Sequence, residues 1–151
     1  MIGLLLFILV VLVVIRMAQS SNTGVTTTSI FRSPHSASVV KSPVTVEPVH
    51  LMSYRFNVTP DMRNVTLVGH FTAQGGFGND IRVLVVTEDD YLNWQNGHNA
   101  RSFYDSKKVT AGTFDVRLPS SAVAYRLVFD NSFSLVTNKV VDVEAKLQYE
   151  Q

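Results

Sequence analysis

Apolar and polar residues alternate in short runs from Val44 to the end of the chain. A period of two is seen at residues 50–58, 64–73, 80–86, 113–119, 124–130 and 140–149, and a further run is expected around Phe103 and Tyr104. Such alternation predicts strands with one buried and one solvated face. Because no run leads into a long helical pattern, the sequence predicts an all-β fold in which two antiparallel sheets pack as a β-sandwich.

The helix expected in this region is short and lies between residues 87 and 97. Asp89 or Asp90 is suited to cap its first turn, because a carboxylate accepts hydrogen bonds from free backbone amides there. The dipeptide Asn96-Gly97 predicts a tight turn at its end.

An uninterrupted apolar stretch runs from Ile2 to Ile15. As a helix it is about 21 Å long, against a hydrocarbon core of about 30 Å, and counting residues 16–18 extends it to about 26 Å. We assign residues 1–19 to a hydrophobic helix that acts as a signal-anchor. The alternative is a signal peptide, for which Ala18-Gln19-Ser20 supplies small residues before the cut, and the protein is then secreted.

Residues 20–43 are rich in Ser and Thr, contain two prolines and show no strand alternation. Such a segment is expected to be a flexible linker between the membrane and a domain that spans residues 44–151. Arg16 and Arg32 favour a cytosolic position for the C-terminal side, whereas a Ser/Thr-rich spacer is typical of extracellular stalks. We expect the domain to be extracytoplasmic, either periplasmic or at the cell surface.

Composition argues against several classes of function. The chain has no cysteine, which removes disulfides, thiol nucleophiles and thiolate metal sites. Residues 1–43 carry three basic and no acidic side chains, whereas residues 44–151 carry ten basic and twelve acidic ones, a net charge of −2. A nucleic-acid-binding domain needs a clustered cationic face, so nucleic acid is not an expected partner.

Near the C-terminus the chain reads Phe129-Asp130-Asn131-Ser132-Phe133-Ser134, and Lys139-Val140-Val141 follows. These residues resemble the closing hairpin of GOLD (Golgi dynamics) domains, which occur in cargo receptors of the secretory pathway. In those domains Phe-Asp-Asn ends the penultimate strand and a Lys opens the last one. The stretches GGFGNDIRVLVV and LNWQNGH are also similar to small uncharacterised bacterial envelope domains of this type. The resemblance implies a jelly-roll/GOLD-like sandwich of about seven or eight strands.

The corner motif of this hairpin has a structural interpretation that needs no ligand. Its residues are Asp130, Asn131, Phe133, Ser134 and Lys139. Asp and Asn at a strand end bond nearby backbone groups and favour a turn. We expect Phe133 to plug the open end of the sandwich, the serines to satisfy backbone groups left unpaired, and Lys139 to pair with Asp130.

Other polar motifs also favour structural roles. The stretch from Gly75 to Asp80 lacks the helix and the Lys-Ser/Thr pair of a phosphate cradle, so a hairpin connection is expected. The three consecutive acids, Glu88 to Asp90, make a poor calcium cage, and helix capping is the favoured role. No catalytic residues, metal ligands or cofactor are predicted, and an enzyme is not expected.

The remaining candidate for a small-ligand site is aromatic. Tyr91, Trp94 and Tyr104 could form a platform that stacks against a sugar ring, and the structural alternative is that Trp94 covers the core. We therefore expect a non-catalytic, membrane-tethered, extracytoplasmic β-sandwich that binds a protein partner of the cell envelope through an edge strand or a loop surface. The alternative function is a carbohydrate-binding module that uses the Tyr91/Trp94 loop.

Overall fold

The computed structural model describes residues 32–151. The predicted hydrophobic segment, residues 1–19, and residues 20–31 of the predicted linker lie outside the described part of the chain. Between residues 32 and 151, no helix is both long enough and apolar enough to cross a membrane.

Eight strands and one short helix follow one another in the described residues. Their bounds are β1 Pro34–Val46, β2 Leu51–Val58, β3 Arg63–Gln74, β4 Ile81–Thr87, α1 Glu88–Gln95, β5 Tyr104–Val109, β6 Ala111–Arg117, β7 Val123–Asp130 and β8 Lys139–Glu150. All runs that the alternation predicted as strands are strands, and the predicted short helix is present.

The strands form two four-stranded sheets that pack face to face. The order is β1-β8-β3-β6 in the first sheet and β2-β7-β4-β5 in the second, and every paired neighbour is antiparallel. Each connection except the one that carries α1 passes from one sheet to the other. This is the topology of an eight-stranded jelly roll, so the predicted two-sheet sandwich is confirmed.

The core lies between the sheets and is built from the inward residues of the alternating runs. Phe71, Phe114, Tyr125, Leu127 and Phe129 are among its buried side chains. A second buried cluster lies on the outer face of the second sheet, where α1 covers it with Tyr91; its strand residues are Leu84, Val86 and Val128. Strands β4 and β7 are therefore apolar on both faces where the helix lies over them.

The assignment of residues 34–43 to a linker is wrong, because β1 begins at Pro34. This strand forms the edge of the first sheet, and its first five residues are exposed. Its pairing with β8 shifts between Ser38 and Val40, so a β-bulge interrupts the period of two. An exposed edge with a bulge leaves no clean alternation in the sequence, and the abundance of Ser and Pro then imitates a linker.

Two connections expected as hairpins join different sheets. Residues 75–80 lead from β3 in the first sheet to β4 in the second, and residues 131–138 lead from β7 back to β8. The error has a simple cause: Gly, Asn and Asp allow a tight reversal of the chain, but they do not determine which strand the chain pairs with afterwards.

The helix is capped by Thr87, not by Asp89 or Asp90. The Thr87 Oγ1 atom accepts a hydrogen bond from the Asp90 amide at 3.1 Å and donates one to the Asp90 carboxylate at 2.7 Å. At the other end, Gly97 has a φ of 74°, its amide donates to the Trp94 carbonyl, and the His98 amide donates to the Asn93 carbonyl. This pattern is a Schellman motif, which confirms the predicted turn at Asn96-Gly97.

Gly69 allows the core to fill at the centre of β3. A Cβ atom at this position would collide with the Phe114 ring and would lie 2.6 Å from the Glu144 carbonyl oxygen. Because Phe114 is buried in the core and Glu144 belongs to the adjacent β8, neither neighbour can withdraw without disturbing the sandwich.

We expect Gly69→Ala to lower the free energy of unfolding by about 1–3 kcal/mol, the usual cost of overpacking a core. Chemical denaturation measures the change. Thr72→Ala, which alters an exposed position of the same strand, serves as the control and should change stability by about 0.5 kcal/mol or less. Equal stability of the two variants would contradict the packing role of Gly69.

Candidate functional site

Three loops between the sheets meet at one end of the sandwich, which we call the crossover end: residues 47–50, 75–80 and 131–138. The fourth connection at this end is the single residue Thr110, between β5 and β6, whose hydroxyl donates to the Gly78 carbonyl at 3.2 Å. The Val49 amide donates to the Ser134 carbonyl at 2.9 Å, which joins the first connection to the third. Gly75 and Gly76 lie so close to residues 137–139 that a Cβ atom on either would collide with them. The crossover end is therefore one contiguous surface with three loops that support one another.

Asn131 lies at the centre of the crossover end and is 0% exposed. Its side-chain amide donates to the carbonyls of Val46 and Glu47, both at 3.1 Å, and to that of Thr137 at 2.9 Å. One side chain thus joins the end of β1 to the turn that follows β7. Its Oδ1 atom has no hydrogen-bond partner among the described residues. The neighbouring Asp130 accepts from the Ser132 amide, as a strand-ending Asp was expected to do.

Lys139 holds the second connection in place. The side chain is buried, and its Nζ atom donates to the Gly75 carbonyl at 2.8 Å and to the Asp80 carboxylate at 3.1 Å. The expected pairing with Asp130 is therefore wrong, because the ammonium group reaches across to the glycine-rich loop instead. That loop is a structural partner of β8, and its glycines permit the close approach of two backbones.

Phe133 is half-buried and does not belong to the buried core. Its ring is covered by Lys108, whose Nζ atom lies 4.1 Å from the ring centre. Ser134 donates from its hydroxyl to the Thr137 carbonyl at 3.2 Å, so the expectation for this serine is confirmed. Asn131, rather than Phe133, is the side chain that closes the end of the sandwich.

Apolar side chains project from the tips of all three connections. Phe77 is fully exposed, Leu135 and Val136 are 80% and 87% exposed, and Val49 is also exposed. Within the three connections the only charged residues are Glu47 and Asp80, and Asp80 is bonded to Lys139. The crossover end is therefore a mainly apolar surface on a braced framework, although Glu47 is exposed and the exposed Lys108 lies over the Phe133 ring. Clustered exposed apolar groups of this kind mark interaction sites.

The aromatic residues predicted as a sugar platform do not form one group. Tyr91 and Trp94 pack on the outer face of the second sheet, where Tyr91 is buried and Trp94 is partly buried. Tyr104 packs instead on the Phe114 ring inside the sandwich, with ring centres 5.6 Å apart. The guanidinium of Arg126 lies over the Tyr91 ring at 4.6 Å, so that ring offers no free face for stacking.

The acidic stretch at the start of α1 is occupied by structural contacts. Arg126 donates two hydrogen bonds to Glu88, at 2.9 and 2.8 Å, and thereby lowers the pKa of that carboxyl. The amide of Arg101 donates to Asp90 at 2.9 Å, which lowers the pKa of Asp90. In residues 32–151, no three His, Asp or Glu side chains are grouped as metal ligands.

Neither a protein-family model nor a curated protein matches the chain. Among solved structures, the crystal structure of the Yersinia pseudotuberculosis-derived mitogen is similar with 9% sequence identity and a TM-score of 0.40, and the match covers 76% of this chain and 86% of the mitogen. A likeness this distant carries no argument about function.

The sequence did not indicate the crossover end as a surface. Phe77, Leu135 and Val136 stand singly or in a pair among Gly, Ser and Thr, and such residues are equally compatible with a loop that folds back onto the core. The signal that was available is the glycine-rich composition around Phe77, which indicates a tight connection with a side chain at its tip.

We expect Asn131→Asp to destabilise the protein by about 3–5 kcal/mol at pH 7, because a buried carboxylate would then face three carbonyl oxygens. These surroundings disfavour the charged form, so the pKa of the new carboxyl in the folded state rises above its unfolded value of about 3.9. The destabilisation relative to the wild type is therefore smallest below that unfolded value and grows as the pH rises through the raised pKa.

Denaturation of Asn131→Asp and wild type at pH 4 and pH 7 tests this expectation. Asn138→Asp is the matched control, since it makes the same chemical change at an exposed position of the same connection. The control should remain within about 0.5 kcal/mol of the wild type. An Asn131→Asp penalty that is equal at both pH values would show that buried charge is not its cause.

Proposed function

We propose that the chain is a non-catalytic, membrane-tethered binding module of the cell envelope, which holds a protein partner at its crossover end. The observation that supports the proposal is the projection of Phe77, Leu135 and Val136 from two loops that are braced by Asn131 and Lys139. Kinship with GOLD-like envelope domains is part of the same proposal and rests on the buried corner residues Asp130, Asn131 and Lys139.

The arrangement suits binding because the framework is already ordered. Loops that need no rearrangement avoid much of the entropy cost of association. Complete burial of a Phe, Leu or Val side chain contributes about 1.5–3 kcal/mol, so three tips supply a central set of anchors of the kind that dominates protein interfaces. A partner with an apolar depression fits this surface, because the side chains that project farthest from the loops are apolar.

The position of the crossover end also suits a tethered module. The chain leads into β1 at Pro34, at the opposite end of the sandwich, where the Ser33 amide bonds to Gln151 at the C-terminus. Strand β1 has 13 residues, and at about 3.3 Å per residue it separates the two ends by about 40 Å. The apolar loops therefore lie at the end of the sandwich opposite to the point where the chain enters β1.

Carbohydrate binding remains the second proposal, with narrower support. Of the predicted platform, Tyr91 is buried with Arg126 over its ring, and the two partly exposed rings, Trp94 and Tyr104, pack against different clusters. One partly exposed indole is a smaller recognition surface than the crossover end.

The proposal is tested by photo-crosslinking in intact membranes from the cells that produce the protein. A photoreactive amino acid is placed at position 77, at position 135 or, as a reference, at His70, which is exposed on the polar outer face of the first sheet. We expect an adduct of one defined mass from positions 77 and 135 and none from position 70. Adducts of the same mass from all three positions, or from none, would contradict the assigned surface.

A substitution series makes the test independent of the chemistry of the probe. With the photoreactive group at position 77, Leu135→Ser should reduce the adduct at least about tenfold, the effect of losing one well-buried anchor of 1.4 kcal/mol or more. Leu92→Ser, on the exposed side of α1, is the matched control and should leave the adduct unchanged.

A further inference from the structure

We propose that the partner bound at the crossover end also adds an extended segment as a new strand to the free edge of β2. This inference rests on the proposed function, because it concerns how the same partner continues along the sandwich. The argument compares the four edge strands: β1 and β6 border the first sheet, and β2 and β5 border the second.

Three of these edges carry features that discourage strand addition. Strand β1 contains Pro34 and Pro43 and a bulge at residue 39. In β5, Ser106 and Lys107 together oppose Val83, and Lys107 has a φ of 58°, so the strand bulges at a charged residue. Along β6, the Tyr104 hydroxyl donates to the Thr113 carbonyl at 3.3 Å.

The hydrogen bond from Tyr104 occupies the Thr113 carbonyl of β6, which points away from the sheet. The Ala73 amide donates to the Thr110 carbonyl, and alternate residues from 110 onward therefore bond to β3. Thr113 lies between two residues of this series, so its carbonyl points outward, where the Tyr104 hydroxyl bonds to it. The β6 edge is thus partly closed by a side chain of the opposite sheet.

Strand β2 has none of these features. Its eight residues include no proline and no lysine, and its register with β7 is unbroken from Leu51 to Val58. The Asn131 amide donates to the His50 carbonyl, which fixes the phase of the antiparallel ladder. Accordingly, the backbone groups of Ser53, Arg55 and Asn57 point away from β7, toward the free edge.

The side chains beside this edge indicate the chemistry of the added segment. On the inner side, Met52 is 42% exposed and Tyr54 is half-buried, so apolar residues at every second position of an incoming strand would cover them. On the outer side, Arg55 is exposed. The segment that fits is an extended peptide with alternating apolar and polar residues.

The edge is continuous with the crossover end. Val49, one of the exposed tips, lies two residues before β2 begins, and Met52 is the second residue of the strand. A partner seated on the loop tips therefore lies next to the exposed start of β2. Strand addition supplies main-chain hydrogen bonds, which complement the few apolar anchors of the loops.

A library of eight-residue peptides, selected on the full chain in lipid nanodiscs, tests the inference with a defined probe. We expect the selected peptides to share a period of two in apolar residues. The tightest peptide is then measured against Arg55→Pro and Arg55→Ala. Proline removes an outward amide and leaves the ladder to β7 intact, so binding should weaken at least about tenfold. Alanine should weaken it less than about fivefold, as expected for an exposed charge.

A second pair of variants guards against a folding defect. Asn57→Pro and Asn57→Ala repeat the comparison at the next outward position, and thermal unfolding shows which variants are folded. Hydrogen exchange tests strand addition directly. The bound peptide should slow the exchange of the Ser53, Arg55 and Asn57 amides, whereas the amides of Met52 and Tyr54 are already protected by their bonds to β7.

The outcomes separate this inference from the proposed function. Peptides without alternation, equal binding by the Pro and Ala variants, or unprotected outward amides would overturn strand addition, while crosslinks from position 77 would still support the crossover end. Loss of self-association in Arg55→Pro, seen by analytical ultracentrifugation without any peptide binding, would assign the edge to a second copy of the chain and would also overturn the inference. Failure of the crosslinks alone would overturn the proposed function.

Discussion

Closure of the sandwich at the crossover end depends on the hydrogen bonds of Asn131. Two sheets that meet through four connections leave backbone carbonyls facing inward, and such groups are costly when buried without a donor. A single amide side chain supplies donors to the end of β1, to the first connection and to the third. An apolar residue could fill the same volume, but it would remove this donor from the Val46 and Glu47 carbonyls and leave the Thr137 carbonyl with only Ser134 as a side-chain donor. The corner motif is therefore required by the topology, before any question of a ligand arises.

Lys139 extends the same principle to a charged group. Burying an ammonium group is unfavourable unless its hydrogen bonds and charge are both compensated, and here the Gly75 carbonyl and Asp80 provide that compensation. The lysine joins the first residue of β8 to the loop between β3 and β4, across the two sheets. The consequence is that the loops at this end are ordered by polar contacts beneath them, and their apolar side chains remain free to face outward.

The sequence predicted the sandwich well because alternation reports burial directly. Every strand with a regular inward face was found, including the runs that contribute Phe71 and Phe129 to the core. Strand β1 was missed because its bulge and its exposed first residues remove the alternation. A local sequence pattern also cannot predict which side chains bond across the fold. Lys139 was assigned to its near neighbour Asp130, while its partner Asp80 lies 59 residues away in the chain.

The site was less accessible to sequence reasoning for a related reason. An aromatic side chain in a loop can pack inward or project outward, and composition does not distinguish the two. Here both expectations were the reverse of what the structure has. Tyr91 was expected at a binding surface and is buried under Arg126, whereas Phe77 lay in a loop treated only as a connection and is fully exposed.

What separates the two cases is backbone placement. Tyr91 belongs to a helix whose first turn is held on the sheet by the Arg126–Glu88 pair, so its ring must face the strands. Phe77 lies between Gly76 and Gly78, both at positive φ, in a loop whose own backbone occupies the space next to residues 137–139. With the backbone already against its neighbour, the side chain has only solvent, or a partner, to face.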